Sequence, residues 1–145
     1  MDTKTFLERA LRGAGRYCMF AAHSEDKTRI QKFYSSVDEL KEAADTFDAR
    51  GYDVYFALAV LGEDDSRKVS NVKTLSSFFL DLDCGPSKDF PTQADALNEL
   101  KEFCKATKLP KPFILDSGRG IHVYWFLTEP VARDDWVPVA EKLKR

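Results

Sequence analysis

Two short stretches hold the side chains best suited to chemistry: SSFFLDLDCG, residues 76–85, and DSGRGIHVYW, residues 116–125. In the first, Asp81 and Asp83 stand one residue apart at the end of an apolar run. A strand rises ~3.3 Å per residue and alternates its faces, so both carboxylates point the same way, with Cα atoms roughly 6–7 Å apart. Leu80 and Leu82 point to the opposite face. Like charges held so close repel unless something neutralises them, and a divalent cation is the usual answer. A strand end running into a solvated loop, where aspartates are common, accounts for the same two residues without a ligand.

In the second stretch, Gly118 and Gly120 allow backbone conformations that other residues resist and let a ligand approach closely. Successive N–H groups at such a turn can form a concavity that holds an anion. Ser117 adds a hydroxyl, Arg119 a charge and His122 a ring nitrogen at the start of a strand. By alternation His122, Tyr124 and Phe126 share one face, and Ile121, Val123 and Trp125 the other. The turn register is left open, so either Ser117 or Asp116 could lie opposite His122. Singly, each signal has a plainer explanation: GxG as a tight turn, the histidine as structural, the arginine as solvated. In combination, paired carboxylates and an anion-friendly turn with Ser and His donors are what metal-dependent phosphoryl transfer requires.

Several elements must position these residues. Phe6, Leu7, Ala10 and Leu11 give an apolar helix face over Asp2–Leu11, ended by the GAG at 13–15. RYCMFAAH and the shorter IQKFYS read as a hairpin across SEDKT. Ser36 and Glu39 form a capping-box pattern before a helix with Val37, Leu40, Ala43, Ala44 and Phe47 inward, and Gly51 is placed to stop it. DVYFALAVLG and TLSSFFLDLD read as two strands pairing across the polar loop EDDSRKVSN. Thr92 and Asp95 open a helix whose inner face is Leu97, Leu100, Phe103 and Cys104, with Pro110 and Pro112 beyond its end. KPFILDSGRGIHVYWFL reads as a hairpin. Asp134 caps a last helix bearing Trp136, Val137, Ala140 and Leu143, which runs to Arg145 without a stop signal, as if the chain were cut there. The order predicts an α+β domain, its mixed or antiparallel sheet covered by helices.

The chain has 145 residues, 43% hydrophobic and 32% charged, which suits a single domain with a real core. Within it, residues 1–51 read as a helix–hairpin–helix unit and 52–145 as the motif-bearing core. No apolar run is long enough to span a bilayer, and MDTKTFLERALRGAG lacks the apolar centre of a signal peptide, so a cytoplasmic protein with no membrane partner is expected. Cys18, Cys84 and Cys104 are scattered, with no CxxC pair, which argues against a zinc site or a disulfide framework. A net charge of −2 excludes a globally basic nucleic-acid binder, so any polyanion contact needs a local patch. Arg67, Lys68 and Lys73, around the loop before the aspartate pair, are the candidates.

With both motifs in view, the sequence resembles the archaeo-eukaryotic primase superfamily, in particular the primase-polymerase modules of phages and plasmids. The DxD motif is matched by Asp81-Leu82-Asp83, and SGxGxH by Ser117-Gly118-Arg119-Gly120-Ile121-His122, followed by Val123-Tyr124-Trp125. Asn71-Val72 before the first motif, Lys88 after it and a Trp-bearing helix after the second are similar too. The likeness covers residues 52–145 well and the first fifty weakly.

The resemblance implies a partial RRM-like catalytic core that makes primers on a single-stranded DNA template. Asp81 and Asp83 would bind catalytic Mg²⁺ or Mn²⁺. Ser117, Gly118, Arg119, Gly120 and His122 would hold the phosphates of a nucleoside triphosphate, with His122 also counted among the catalytic residues. A helicase or other replication module would accompany it in the parent protein, in a bacterial or archaeal host. The family's third motif, a further strand-borne aspartate, is not matched: Asp134 and Asp135 come too early, and the family does not use the Asp116 position for metal. The expectation is a fragment with little or no activity alone.

Three other readings compete. A metal-dependent glycosyltransferase also uses DxD, but leaves the SGRGIH hairpin unexplained. A strand-nicking initiator wants two histidines flanking one apolar residue, and only His122 is on such a strand. A non-catalytic nucleic-acid or partner-binding module of a replication protein fits the same sequence if the metal site is incomplete.

Overall fold

A computed structural model of the chain describes residues 2–143. Its elements run α1 (Thr3–Ala10), β1 (Tyr17–His23), β2 (Arg29–Tyr34), α2 (Val37–Ala49), β3 (Tyr52–Phe56), β4 (Val60–Leu61), β5 (Val72–Asp83), α3 (Gln93–Thr107), β6 (Phe113–Asp116), β7 (Gly120–Ala132) and α4 (Arg133–Leu143). The class is α+β, as the order of elements predicts. Two compact units divide the chain, one carrying it up to Ser76 and again from Leu127, the other Ser77–Phe126. Strands β5 and β7 each contribute to both.

In the first unit β1 is the centre of a three-stranded antiparallel sheet in the order β2-β1-β3. The hairpin over 17–34 forms as the turn chemistry dictates: Asp26 accepts from the Thr28 N–H, and Lys27 takes the left-handed conformation between them. Asp2 caps α1 by accepting from the Thr5 N–H, and Ser36 caps α2 by accepting from Glu39. The Glu39 carboxylate reaches back one residue further than a capping box would, to the Ser35 N–H. Leu7, Ala10, Leu40 and Phe47 bury the inner faces of these helices, and Met19 and Ala21 are fully buried on β1.

The apolar run DVYFALAVLG is not one strand. It breaks after Phe56; β3 joins β1, whereas β4 pairs with β5 through Val60↔Thr74 and Leu61↔Val72. A run that is apolar throughout has no two-residue period to mark where one sheet hands over to another. Pairing of this run with the DxD strand therefore holds only for its last part. The polar loop after β4 is tied down. Arg16 donates to the carbonyls of Gly62, Glu63 and Asp64, and Asn71 to those of Asp64 and Ser66.

The last helix also departs from expectation. Strand β7 continues to Ala132, and α4 starts at Arg133 with Asp134 already in its first turn rather than capping it. None of its described residues is fully buried, and Val137 is exposed where an inner face was expected. The expected run to Arg145 lies outside the described residues.

The second unit is built from β5, β7 and β6, neighbours in that order, with α3 against them. Thr92 and Asp95 complete a full capping box, and Lys108 ends α3 in the left-handed conformation. Ala96 and Leu100 are its buried residues; Cys104 is half-buried. Phe103 meets the Trp125 ring, whose indole N–H donates to the Pro110 carbonyl. Trp125, Val123 and Ile121 are therefore the helix-side face of β7, and all three are buried. No helix among the described residues is long and apolar enough to cross a membrane.

Candidate functional site

The candidate site residues of the two motifs all lie in the second unit, whereas Arg67, Lys68 and Lys73 lie in the first. Asp81 and Asp83 alternate with Leu80 and Leu82, and the two aspartates are the exposed members of that alternation. Two positions before Asp81, Phe79 is on the same face and meets His122 edge-on at 5.2 Å between ring centres. His122 Nε2 is 3.6 Å from Asp81 Oδ1. The face of β7 carrying His122 thus adjoins the face of β5 carrying both carboxylates. Tyr124 and Phe126 continue it, stacked with rings only 8° from parallel. Burial, and secondarily the Asp81 charge, push the Tyr124 phenol up. Asp83 has a cation within reach as well, Lys88 Nζ at 3.9 Å.

The hairpin register answers what alternation alone left open. Asp116 pairs with Ile121 and Leu115 with His122, so neither Ser117 nor Asp116 lies opposite the histidine. Residues 117–119 form the tip, closed by the Ser117 N–H donating to the Gly120 carbonyl. Gly118 has a positive φ of 89°. Its N–H donates to Asp116 Oδ1 at 2.7 Å, and Gln93 Nε2, from the first residue of α3, donates to the same oxygen at 2.8 Å and to the Gly120 carbonyl. These two bonds, the Gly118 N–H first, hold the Asp116 carboxyl below the usual carboxylate range.

The tip is fastened to the aspartate strand as well. The Cys84 N–H donates to the Arg119 carbonyl at 2.8 Å. A Cβ at Gly120 would collide with the Leu82 carbonyl oxygen and lie 3.0 Å from Asp83 Cα. Glycine there is what lets the second motif cross directly over the first. Ser117, Gly118 and Arg119 remain exposed. Burial, with Asp83 and Asp95 adding to it, raises the Cys84 thiol, which suits a neutral group beside the carboxylates.

Among the described residues no group of three His, Cys, Asp or Glu side chains is placed to chelate a metal. The donor set is two exposed carboxylates with a histidine beside one of them. That set fits a hard cation of the Mg²⁺ or Mn²⁺ kind, which binds through one or two carboxylates and completes its shell with water and substrate phosphates. It does not fit zinc, which wants a closed set of N and S ligands.

Gln93, Asp116 as a brace, and Phe79 behind His122 were not legible as site residues. Of the cations outside the motifs, Lys73 Nζ donates to the Ala14 carbonyl, and Arg67 lies over the Phe20 ring at 5.1 Å. Fold and site together define a class: an α+β protein with an acidic strand end and a glycine turn locked against it. No family model matches the sequence, and no curated protein and no solved structure is similar enough to it to count as a match.

Proposed function

We propose that the second unit binds a divalent cation together with a nucleoside triphosphate, and that the protein is a DNA-templated nucleotidyltransferase of the primase or primase-polymerase kind. The observation that supports this reading most is the locked crossing of the two motifs: His122 beside Asp81, and the Ser117–Gly120 turn backed onto Leu82 and Asp83. Asp81 and Asp83 would hold the cation, which supplies charge neutralisation for the phosphates and for the displaced pyrophosphate. The exposed Arg119 and the Ser117 hydroxyl would receive the phosphate oxygens, the Gly118 N–H being spent on Asp116. His122, held by Phe79 and Asp81, would donate to one of them.

Asp116 and Gln93 keep the turn in shape before any ligand arrives, and that pre-organisation is where electrostatic stabilisation of phosphoryl transfer comes from. A second reading, a non-catalytic module of a replication protein, is favoured by one observation: among the described residues no three His, Cys, Asp or Glu side chains are grouped to hold a metal. Both readings predict little or no synthesis by this chain alone, and they part at nucleotide binding.

Isothermal titration with Mn²⁺ and a nucleoside triphosphate decides between them. The catalytic reading expects nucleotide binding that needs the metal and weakens at least about tenfold in Asp81→Asn/Asp83→Asn, the loss of two charge-assisted ligands. Binding unchanged in that variant, or absent from the wild-type chain, would remove the catalytic reading and leave the module.

A further inference from the structure

We propose that the outer part of the β2-β1-β3 sheet face turned away from α1 and α2, beyond Cys18 and Phe33 which pack into the core, binds single-stranded nucleic acid, with Tyr55 stacking on a base beside Phe20 and Arg67 and Arg29 meeting phosphates. Helix-side positions of this sheet are marked by contacts: Phe56 meets Phe6 of α1, and Tyr52 meets Phe47 of α2. Tyr55 alternates with these and faces the other way. The register sets Phe20 opposite both Tyr55 and Gln31, and Ala22 opposite Arg29. Tyr55, Phe20, Gln31 and Arg29 therefore share one face.

Tyr55 is 56% exposed, the one aromatic among the large apolar residues that stand in solvent in the described chain. A single exposed tyrosine is unremarkable on a protein surface. Here it is one of a pair, 6.1 Å from the Phe20 ring, and the pair is flanked by a guanidinium. Arg67 lies 5.1 Å over Phe20 and forms no ion pair among the described residues, although Glu63, Asp64 and Asp65 are close in sequence. Arg67 is carried on the loop that Arg16 and Asn71 fasten by backbone carbonyls, so its position does not depend on a partner.

Arg29 is likewise exposed without an ion pair, and Asp53, opposite Ala22, is the acid on the same face. Adjacent aromatic faces plus arginines free of carboxylates are the chemistry of single-strand binding, in which bases stack and the backbone is tracked by cations.

The proposal rests on the first unit alone, so it holds or fails separately from the metal–nucleotide reading. It is tested by fluorescence anisotropy of a labelled oligothymidylate with the full chain in EDTA, which silences any metal site. Expected are saturable binding, about tenfold weaker binding for Tyr55→Ala, and recovery in Tyr55→Phe. Arg67→Gln should weaken binding and lower the salt slope by about 0.7. Both positions are exposed, and circular dichroism verifies that the variants are folded. Absence of binding at low salt, equal affinity for Tyr55→Ala, or a preference for duplex of the same length would overturn it.

Discussion

Gly118 and Gly120 sit two residues apart and are glycine for different reasons. Gly118 has a positive φ and open space where a side chain would go, whereas at Gly120 a Cβ would meet the backbone of Leu82 and Asp83. Gly118→Ala should cost only about 1 kcal/mol of left-handed strain. Gly120→Ala meets backbone that cannot rotate aside, and should cost about 3 kcal/mol or separate the hairpin from the aspartate strand. Urea denaturation of the two variants ranks them.

Asp116 offers a pH test at the same scale. Its carboxyl is held low in the folded chain by the Gly118 N–H and Gln93, so its contribution to stability is present in full above the unfolded value. The contribution begins to fall below about pH 4 and is gone once the pH has passed the lowered folded value. The difference in urea midpoint between wild type and Asp116→Ala should therefore be constant from neutral pH to about pH 5 and shrink in stronger acid. The aspartates, serine, glycines and histidine were legible because their types announce chemistry. Gln93 and Phe79 were not, because an amide at a helix start and a phenylalanine in an apolar run look like ordinary structure.

Among the elements, helices were the more legible. The starts expected at Asp2, Ser36 and Thr92 are each kept by the structure within a residue. Strands were legible in number only where a turn or a charge interrupts them, which is why β3 and β4 merged into one apolar run and why β7 reads shorter than it is. Strand β7 passes through Pro130 to Ala132. The loop between β4 and β5 is polar in sequence and ordered in structure, because Asn71 is 7% exposed and spends both its amide donors on loop carbonyls. Asn71→Ala should destabilise the chain by roughly 2 kcal/mol, the cost of leaving buried polar groups unmet. Amide exchange across residues 62–71 should quicken in step. Unchanged exchange there would mean that the loop is held without Asn71, by Arg16 and by Arg133 on the Val69 carbonyl.

For the molecule as a whole, the two compact units change places inside strands, at Ser76/Ser77 in β5 and Phe126/Leu127 in β7. Such boundaries leave no Pro-, Gly- or Ser-rich linker to read, whereas the loop at residue 51 is visible from its glycine. Both informative motifs fall within the second unit, and the unit's own hydrogen bonds, not a ligand, bring them together. The most direct test of that account is paramagnetic broadening of assigned amide resonances by Mn²⁺ in the presence of a nucleoside triphosphate. Broadening centred on residues 81–85 and 117–122 is the predicted result. Broadening centred instead on the acidic loop at Glu63, Asp64 and Asp65, with the two motifs untouched, would contradict it.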